Sequence, residues 1–211
     1  MRANVYIVSA PSGSGKTTLL RALLRTFGDL KFSVSHTTRQ PREGERDGID
    51  YFFVDHPAFK NMIERGEFLE WAEYQGQLYG TARAWVESNL DAGCDVILDI
   101  DVEGASQVRR QIPYAVTIFV MPPSYNQLEQ RLRSRSRPQA GASESEESIR
   151  RRLEIAKKEI LHYRDYDYIV VNDVLDHSIR LLESIVQSGR AKPARQEDRI
   201  EKIIASFGGT A

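Results

Sequence analysis

The sequence predicts an α/β protein in which a parallel β-sheet lies between two layers of helices. Four runs of apolar and β-branched residues end in polar or glycine-containing turns, a pattern typical of strands buried on both faces. Helical segments fall between these runs, so strand and helix alternate along the chain. The predicted strands are residues 5–10, 95–101, 116–122 and 167–173. The predicted helices are residues 16–27, 103–111, 124–135, 144–164 and 174–189.

The composition is that of a globular, soluble chain with balanced charge. The 211 residues are 41% hydrophobic and 28% charged, and the formal net charge is −1. Overall charge therefore gives no basis for binding nucleic acid. No apolar run approaches the ~18 residues that span a bilayer, so we expect no membrane association. The apolar run near the N-terminus leads directly into a glycine-rich loop. We therefore interpret it as a strand, not a signal peptide, and expect a cytoplasmic location.

Two regions interrupt the alternation of strand and helix. Residues 35–88 are rich in Arg, Gly, Tyr and Glu, with strand-like pieces such as residues 50–54, which indicates a small inserted α+β lobe. Residues 131–151 combine alternating arginines, a Pro/Gly/Ala/Ser stretch and an acidic helix start, where Ser143 and Glu146 fit a capping box. The predicted core comprises residues 1–34, 89–130 and 152–211, the last with C-terminal helices.

A phosphate-binding loop follows the first strand. The stretch "APSGSGKTT" (10–18) matches the pattern G-x-x-x-x-G-K-[ST], except that Ala10 replaces the first glycine, a position that closes the strand and takes little part in wrapping phosphate. Gly13 and Gly15 let backbone N–H groups turn towards phosphate oxygens, and the helix N-terminus adds partial positive charge. Lys16 can reach the β- and γ-phosphates, while the Thr17 hydroxyl can bind Mg²⁺.

The loop alone does not distinguish an ATPase, a GTPase and a kinase. Residues 101–104 match the D-x-x-G element of GTPases, but the sequence contains no N-K-x-D motif for guanine, so a GTPase is disfavoured. Asp99 and Asp101 end a predicted parallel strand, at the edge where α/β active sites assemble. They can hold Mg²⁺-bound water or orient a phosphate acceptor. Asp101 is also placed to cap the helix that follows.

The inserted lobe has the residue types of an acceptor site. Arg39 and Arg42, with Tyr51 nearby, can bind the oxygens of a monophosphate through guanidinium forks. Glu70 offers a carboxylate that, if buried, can accept hydrogen bonds from guanine N1–H and its exocyclic amine. Adenine presents a lone pair at N1 instead, so the same carboxylate would reject it.

These stretches together resemble a known family. "SAPSGSGKTTL", "SVSHTTRQPREGE", "FLEWAEYQGQLYGT", "ILDIDVEGA", "RLRSR", "EESIRRRL" and "YDYIVVND" occur in the order seen in guanylate kinases, and the resemblance runs from about residue 6 to residue 173. The resemblance implies a P-loop three-layer sandwich with a GMP-binding lobe and a helical lid. It also implies transfer of the γ-phosphoryl group from ATP to GMP with Mg²⁺ bound.

The resemblance assigns roles to individual residues, which we take as expectations. The expected ATP site is Ser12, Gly13, Ser14, Gly15, Lys16, Thr17, Thr18 and Asn172, with Thr17 at the metal. The expected GMP site is Ser35, Arg39, Arg42, Tyr51, Glu70, Tyr79, Thr81 and Asp101. The expected catalytic residues are Lys16, Arg39, Asp101, Arg131, Arg135 and Arg152.

The sequence departs from the family pattern at two points in the lid, and two alternative functions stay open. In the family the second lid arginine is followed by glycine and soon by the acidic helix, whereas here Ser136 replaces that glycine and "RPQAGAS" (137–143) lengthens the lid. The C-terminal segment 190–211 has a helical pattern that suits packing on the core or on a second copy in a homo-oligomer. The alternative functions are a catalytically inactive module that binds phosphorylated proteins and a P-loop kinase with another small acceptor.

Overall fold

The computed structural model describes residues 3–74, 76–135 and 145–208, and its main body is a three-layer α/β core. The strands are β1 (Val5–Ser9), β2 (Lys31–Phe32), β3 (His36–Thr37), β4 (Phe52–Phe53), β5 (Phe68–Tyr74), β6 (Gln77–Ala82), β7 (Val96–Asp99), β8 (Val116–Met121) and β9 (Tyr168–Val171). The helices are α1 (Lys16–Thr26), α2 (His56–Glu64), α3 (Arg83–Asp91), α4 (Val102–Gln111), α5 (Tyr125–Arg135), α6 (Glu146–Glu159), α7 (Leu175–Arg190) and α8 (Pro193–Ser206).

The central sheet is parallel throughout and has the order β2-β7-β1-β8-β9. All five residues of β1 are buried, which explains why its sequence shows no polar alternation. The four strands predicted from apolar runs are confirmed as β1, β7, β8 and β9. The edge strand β2 was not predicted, because a strand of two residues carries no recognisable period.

Helices cover both faces of this sheet. Tyr6 and Val8 of β1 enter an apolar cluster with side chains of α1 and α7, whereas Val5 and Ile7 enter a second cluster with α3 and α4. Successive residues of one strand thus reach opposite layers. The predicted three-layer architecture is confirmed.

A second, smaller sheet lies between β2 and β7 in the sequence, with the order β4-β3-β6-β5. Strands β5 and β6 pair antiparallel, with Glu70 opposite Thr81. Behind this sheet α2 contributes Phe59, whose ring stacks on Phe68 with centroids 4.4 Å apart. The small sheet therefore has its own apolar cluster, separate from those of the central sheet.

Helices α5 and α6 pack on each other through Leu128, Leu132, Ile149 and Leu153. Ser145 caps α6 by accepting a hydrogen bond of 3.2 Å from the Ser148 amide. The capping box predicted at Ser143 is therefore wrong. The cap lies two residues later because several Ser and Glu residues in this stretch fit the pattern. Ser143 and the rest of residues 136–144, which include the stretch that lengthens the lid, lie outside the described residues.

The C-terminal helix α8 contacts α7 and buries none of its residues. Ile200 and Ile203 are exposed on it, and Phe207, which follows its last residue, is exposed as well. None of the helices in the described ranges combines the length and apolar character needed to cross a membrane.

Asp95 lies fully buried at the start of β7 and binds two arginines of the C-terminal region. Its carboxylate contacts Arg190 at 2.7 Å and Arg195 at 3.0 Å. We expect Asp95→Asn to lower the free energy of unfolding by about 3 kcal/mol, because it removes the carboxylate that pairs with the mostly buried Arg195, whereas Arg190 keeps its contact with Asp29. Urea denaturation measures this. Glu154→Gln, which removes an exposed pair, should cost less than about 1 kcal/mol, and equal losses in the two variants would contradict the prediction.

Candidate active site

The loop between β1 and α1 has the backbone shape that anion binding requires. Gly13 and Gly15 have φ angles of 94° and 93°, a left-handed region that glycine adopts without strain. Gly15 is the N-cap residue of α1 and no side chain caps the helix, so the Lys16 and Thr17 amides are left for a ligand, whereas the Thr18 amide donates to the Gly15 carbonyl at 3.1 Å. The Ser14 hydroxyl is buried and has no hydrogen-bond partner among the described residues. Ala10, the departure from the usual pattern, packs its methyl group against the core.

Three side chains from distant elements hold this loop in place. The Ser14 carbonyl accepts hydrogen bonds from Asn172 Nδ2 at 2.7 Å and from Arg131 Nη1 at 3.2 Å. Arg131 also donates to the Asn172 carbonyl at 2.9 Å. Arg152 Nη2 donates to Ser12 Oγ at 2.6 Å. The structure therefore brings three residues that the sequence predicted from separate motifs onto one loop.

Two carboxylates stand beside the loop at the end of β7. Asp99 forms an ion pair with Lys16, and both side chains are about one quarter exposed or less. Asp101 caps α4 by accepting a hydrogen bond of 2.8 Å from the Gly104 amide. The capping role that the sequence offered for Asp101 is confirmed, and its side chain stays half-buried at the carboxyl edge of the sheet.

The loop fits a magnesium ion held mainly through phosphate oxygens. Thr17 and Thr18 are exposed at the start of α1, and the Ser14 hydroxyl lacks a partner among the described residues. In the described ranges no three His, Cys, Asp or Glu side chains gather into a metal site. Magnesium seldom occupies an all-protein cage and is usually bound by one or two protein groups, waters and substrate phosphates. The exposed Thr17 hydroxyl at the start of α1 suits magnesium binding of this kind.

The small lobe presents a cationic group on an aromatic platform. The Arg39 guanidinium lies 5.2 Å from the centre of the Tyr51 ring and pairs with Glu45 through two hydrogen bonds of 2.9 and 3.0 Å. The Tyr79 ring is 6.0 Å from that of Tyr51. The Arg42 side chain is exposed, and only its backbone amide binds Glu45. Arg39, Tyr51 and Tyr79 are thus brought together, and Arg42 lies three residues from Arg39 on the same loop.

The same lobe buries an acidic side chain. Glu70 is 5% exposed, and Thr81 Oγ1 donates to its Oε1 at 2.6 Å. Burial raises the pKa of Glu70 to about 7, the Thr81 hydrogen bond opposes that rise, and the charge of Asp101 adds to it. A Cβ atom at Gly104 would lie 2.5 Å from Glu70 Oε2, so only glycine leaves room for the carboxyl there. Ser35 is half-buried, and its carbonyl accepts from the Phe52 amide.

The phosphate loop and the Arg39–Tyr51 pair of the small lobe lie near each other. Burial raises the pKa of the Tyr51 hydroxyl, and the negative charge of Asp99 adds to that rise. Asp99 in turn pairs with Lys16 of the phosphate loop. A chain of interactions therefore runs from the loop on the central sheet to the aromatic platform under Arg39.

Several residues of the site were not predicted from the sequence. Glu159 has a buried Oε2 with no hydrogen-bond partner among the described residues. Burial raises its pKa to about 7, the Lys16 charge lowers it, and the Asp101 charge raises it. Nothing in the charged sequence of α6 distinguishes this glutamate from its neighbours. Glu45 had a signal, since it belongs to the quoted "PREGE" stretch.

Helix α5 carries two further arginines besides Arg131, namely Arg133 and Arg135. Arg135 is the last residue of α5, and its side chain lies outside the described part of the structure. Arg133 forms ion pairs with Glu129 and Glu146 on the helix surface. Its partners lie on its own helix and on α6, so its hydrogen bonds among the described residues join these two helices and do not reach the loop.

A glycine-rich loop with a lysine and a second cationic group on a neighbouring lobe are typical of a phosphotransferase that acts on two phosphorylated substrates. The chain belongs to the guanylate kinase family, whose model matches residues 2–189. A guanylate kinase of Nitrosomonas europaea is 48% identical over 203 residues, which cover 96% of this chain and 98% of that protein. A guanylate kinase of Escherichia coli K12 is 47% identical over 208 residues, with 98% of both chains covered. The crystal structure of guanylate kinase from Anaplasma phagocytophilum matches with a TM-score of 0.73 at 32% identity, covering 92% of this chain and 89% of that one.

The titration of Glu70 tests the geometry of the small lobe. We expect its side-chain ¹³C signal to titrate with a midpoint of about 7 in the free protein. Thr81→Val should move the midpoint higher, because the Thr81 hydroxyl stabilises the carboxylate, and Thr81→Ser should restore it. Because the pKa of Glu70 is raised in the folded state, its contribution to the free energy of unfolding is fully present below about pH 4.5 and is lost as pH rises through 7. A midpoint near the ordinary value of 4.5 would contradict the burial of this group.

Proposed function

We propose that the chain transfers the γ-phosphoryl group of ATP to GMP, and also to dGMP, giving ADP and the nucleoside diphosphate. The observation that carries this proposal is the buried Glu70–Thr81 pair in the lobe that also holds Arg39. A carboxylate and a guanidinium in one small lobe suit a base and a phosphate of the same nucleotide. Family membership supports the same reaction.

The acceptor site reads guanine through hydrogen bonds that adenine cannot form. In its ionised form Glu70 accepts from guanine N1–H and the exocyclic amine, and adenine would leave the carboxylate unpaired at a cost of about 1–3 kcal/mol or more. Ser35, Thr81 and Asp101 surround the base in this proposal. Arg39, Arg42, Tyr51 and Tyr79 bind the phosphate of GMP.

The donor site is the phosphate loop. The backbone of residues 12–18 wraps the phosphates of ATP, and Asn172 stands near the adenine side while it holds the Ser14 carbonyl. The Thr17 hydroxyl would hold the magnesium ion that accompanies ATP. Bound there, Mg²⁺ would supply positive charge that offsets the negative charge developing on the phosphate groups.

The chemistry needs alignment and charge compensation more than covalent help. Lys16 leaves its ion pair with Asp99 and pairs with the phosphates of ATP. The charge of the phosphoryl group during transfer is neutralised by Arg131, Arg135 and Arg152. Asp101 stands close to both nucleotides. Because the acceptor site and the arginines belong to different lobes, closure brings them together and excludes water that would otherwise hydrolyse ATP.

This mechanism assigns each segment of the chain a task. Residues 35–88 form the GMP-binding lobe, residues 131–151 form the lid, and the remaining ranges 1–34, 89–130 and 152–211 form the core. We also propose a cytoplasmic location, since the apolar run near the N-terminus is the buried core strand β1.

The inactive phosphoprotein-binding module is not favoured as an alternative. Modules of that kind typically have a degraded phosphate loop, whereas here Lys16 and Thr17 are present and Arg131 and Asn172 support the loop. A P-loop kinase with another small acceptor is disfavoured by the buried Glu70.

An assay of acceptor preference tests the proposal. ADP production from ATP should be coupled to a detector and measured with GMP, dGMP, AMP, CMP and UMP in turn. We expect turnover with GMP and dGMP and at least about 100-fold lower kcat/KM with AMP, because AMP cannot pair with Glu70. Equal turnover of AMP and GMP would contradict the role of Glu70, and no turnover with any acceptor would support the binding module.

Two substitutions separate the donor site from the acceptor site. Lys16→Ala should reduce kcat by about 100-fold or more, because it removes a positive charge from the transferring phosphates. Glu70→Ala should raise the KM for GMP by about tenfold or more while the KM for ATP stays unchanged. Circular dichroism checks that both variants fold, and Lys60→Ala on the exposed face of α2 is the control. An unchanged KM for GMP in Glu70→Ala would contradict the assignment.

A further inference from the structure

We propose that Glu45 is a positioning residue that orients Arg39 towards the phosphate of the acceptor nucleotide. The inference rests on the proposed function, since it takes Arg39 as the ligand of that phosphate. Glu45 itself does not touch the substrate in this proposal. It acts by fixing which edge of the guanidinium group remains open.

The contacts around Arg39 fix the guanidinium plane and one of its edges. Glu45 accepts hydrogen bonds from Nη1 at 3.0 Å and from Nη2 at 2.9 Å, a bidentate end-on pair. The Gln40 carbonyl accepts a further bond from Nη1 at 2.8 Å. The rings of Tyr51 and Phe53 lie 5.2 and 5.9 Å from the guanidinium carbon. The side chain is therefore held before any ligand arrives.

The donors that remain on Arg39 form a second fork. A guanidinium group has five N–H bonds, and Glu45 and Gln40 use both on Nη1 and one on Nη2. The remaining two, on Nε and Nη2, point the same way along the other edge, and the Tyr79 side chain, expected to bind the same phosphate, also hydrogen-bonds to the guanidinium group. Two parallel N–H groups match two oxygens of a phosphate. Glu45 thus leaves open the edge that suits bidentate phosphate binding.

Glu45 also ties the two arginines of this loop together. One of its oxygens accepts a hydrogen bond of 2.7 Å from the Arg42 backbone amide. The hydrogen bond from Arg39 holds the pKa of Glu45 below its usual value against the effect of burial, so the group is anionic at neutral pH. Fixing Arg39 and the backbone of Arg42 beforehand reduces the ordering cost of binding phosphate.

A different role for Glu45 predicts the opposite effect on affinity. If its carboxylate competed with the ligand phosphate for the same edge of Arg39, removing it would strengthen GMP binding. If it positions Arg39, removing it weakens GMP binding, because the guanidinium loses its fixed orientation. The sign of the change therefore distinguishes positioning from competition.

The test measures GMP and ATP affinities of the full chain by isothermal titration calorimetry. We expect Glu45→Gln to raise the Kd for GMP by about tenfold, the scale of one lost hydrogen bond, and to leave the Kd for ATP unchanged. Glu43→Gln makes the same charge change on an exposed neighbour in the loop and should leave both values unchanged. In an Arg39→Lys background, Glu45→Gln should have no further effect, because Glu45 acts through Arg39.

Three results would overturn the inference. A GMP affinity that is unchanged or tighter in Glu45→Gln rules out positioning, and so does a tenfold loss that persists in the Arg39→Lys background. If Glu45→Gln does not fold, the NMR signal of the Arg39 ¹⁵Nε–H group in the wild-type chain provides the test. This signal must shift when GMP binds, and an unshifted signal overturns the proposal. A wild-type chain that binds no GMP would instead overturn the proposed function.

Discussion

The carbonyl oxygen of Ser14 is the point on which the arrangement of the site depends. A loop that turns its N–H groups inwards to phosphate turns carbonyl groups outwards, and these need donors of their own. Asn172 from the end of β9 and Arg131 from α5 supply them at 2.7 and 3.2 Å. The same bonds place the Arg131 guanidinium beside the phosphate loop. Support of the loop and placement of a cation beside it thus come from the same side chain.

The parts of the molecule that depend on local sequence pattern are predictable from the sequence alone. The phosphate loop carries a motif and the strands β1, β7, β8 and β9 carry continuous apolar runs, so the sequence predicts each of them, although the edge strand β9 buries only Val170. Strand β2 and the pairing of β3 with β4 and β6 were not found, because strands of two residues exist only through their partners. Glu159 was missed for a similar reason, since its burial arises from the packing of α6 and not from its neighbours in sequence.

The two halves of the site are connected by electrostatic contacts that run across the sheet edge. Lys16 pairs with Asp99, and the charge of Asp99 acts on Tyr51, which lies under Arg39. Under the proposed function, donor and acceptor phosphates bind to these neighbouring cations, and closure aligns them. Such an arrangement requires no covalent phosphoryl-enzyme intermediate, because proximity and charge compensation suffice for direct transfer.

The stereochemistry of transfer tests this account most directly. ATP made chiral at the γ-phosphorus with sulfur and oxygen isotopes should transfer its thiophosphoryl group to GMP, and the configuration of the β-phosphorus of the resulting GDP analogue should then be determined. One in-line displacement between two bound nucleotides predicts inversion at phosphorus. Retention would require two displacements through an enzyme-bound intermediate, and it would contradict direct transfer between the phosphate loop and the Arg39 site.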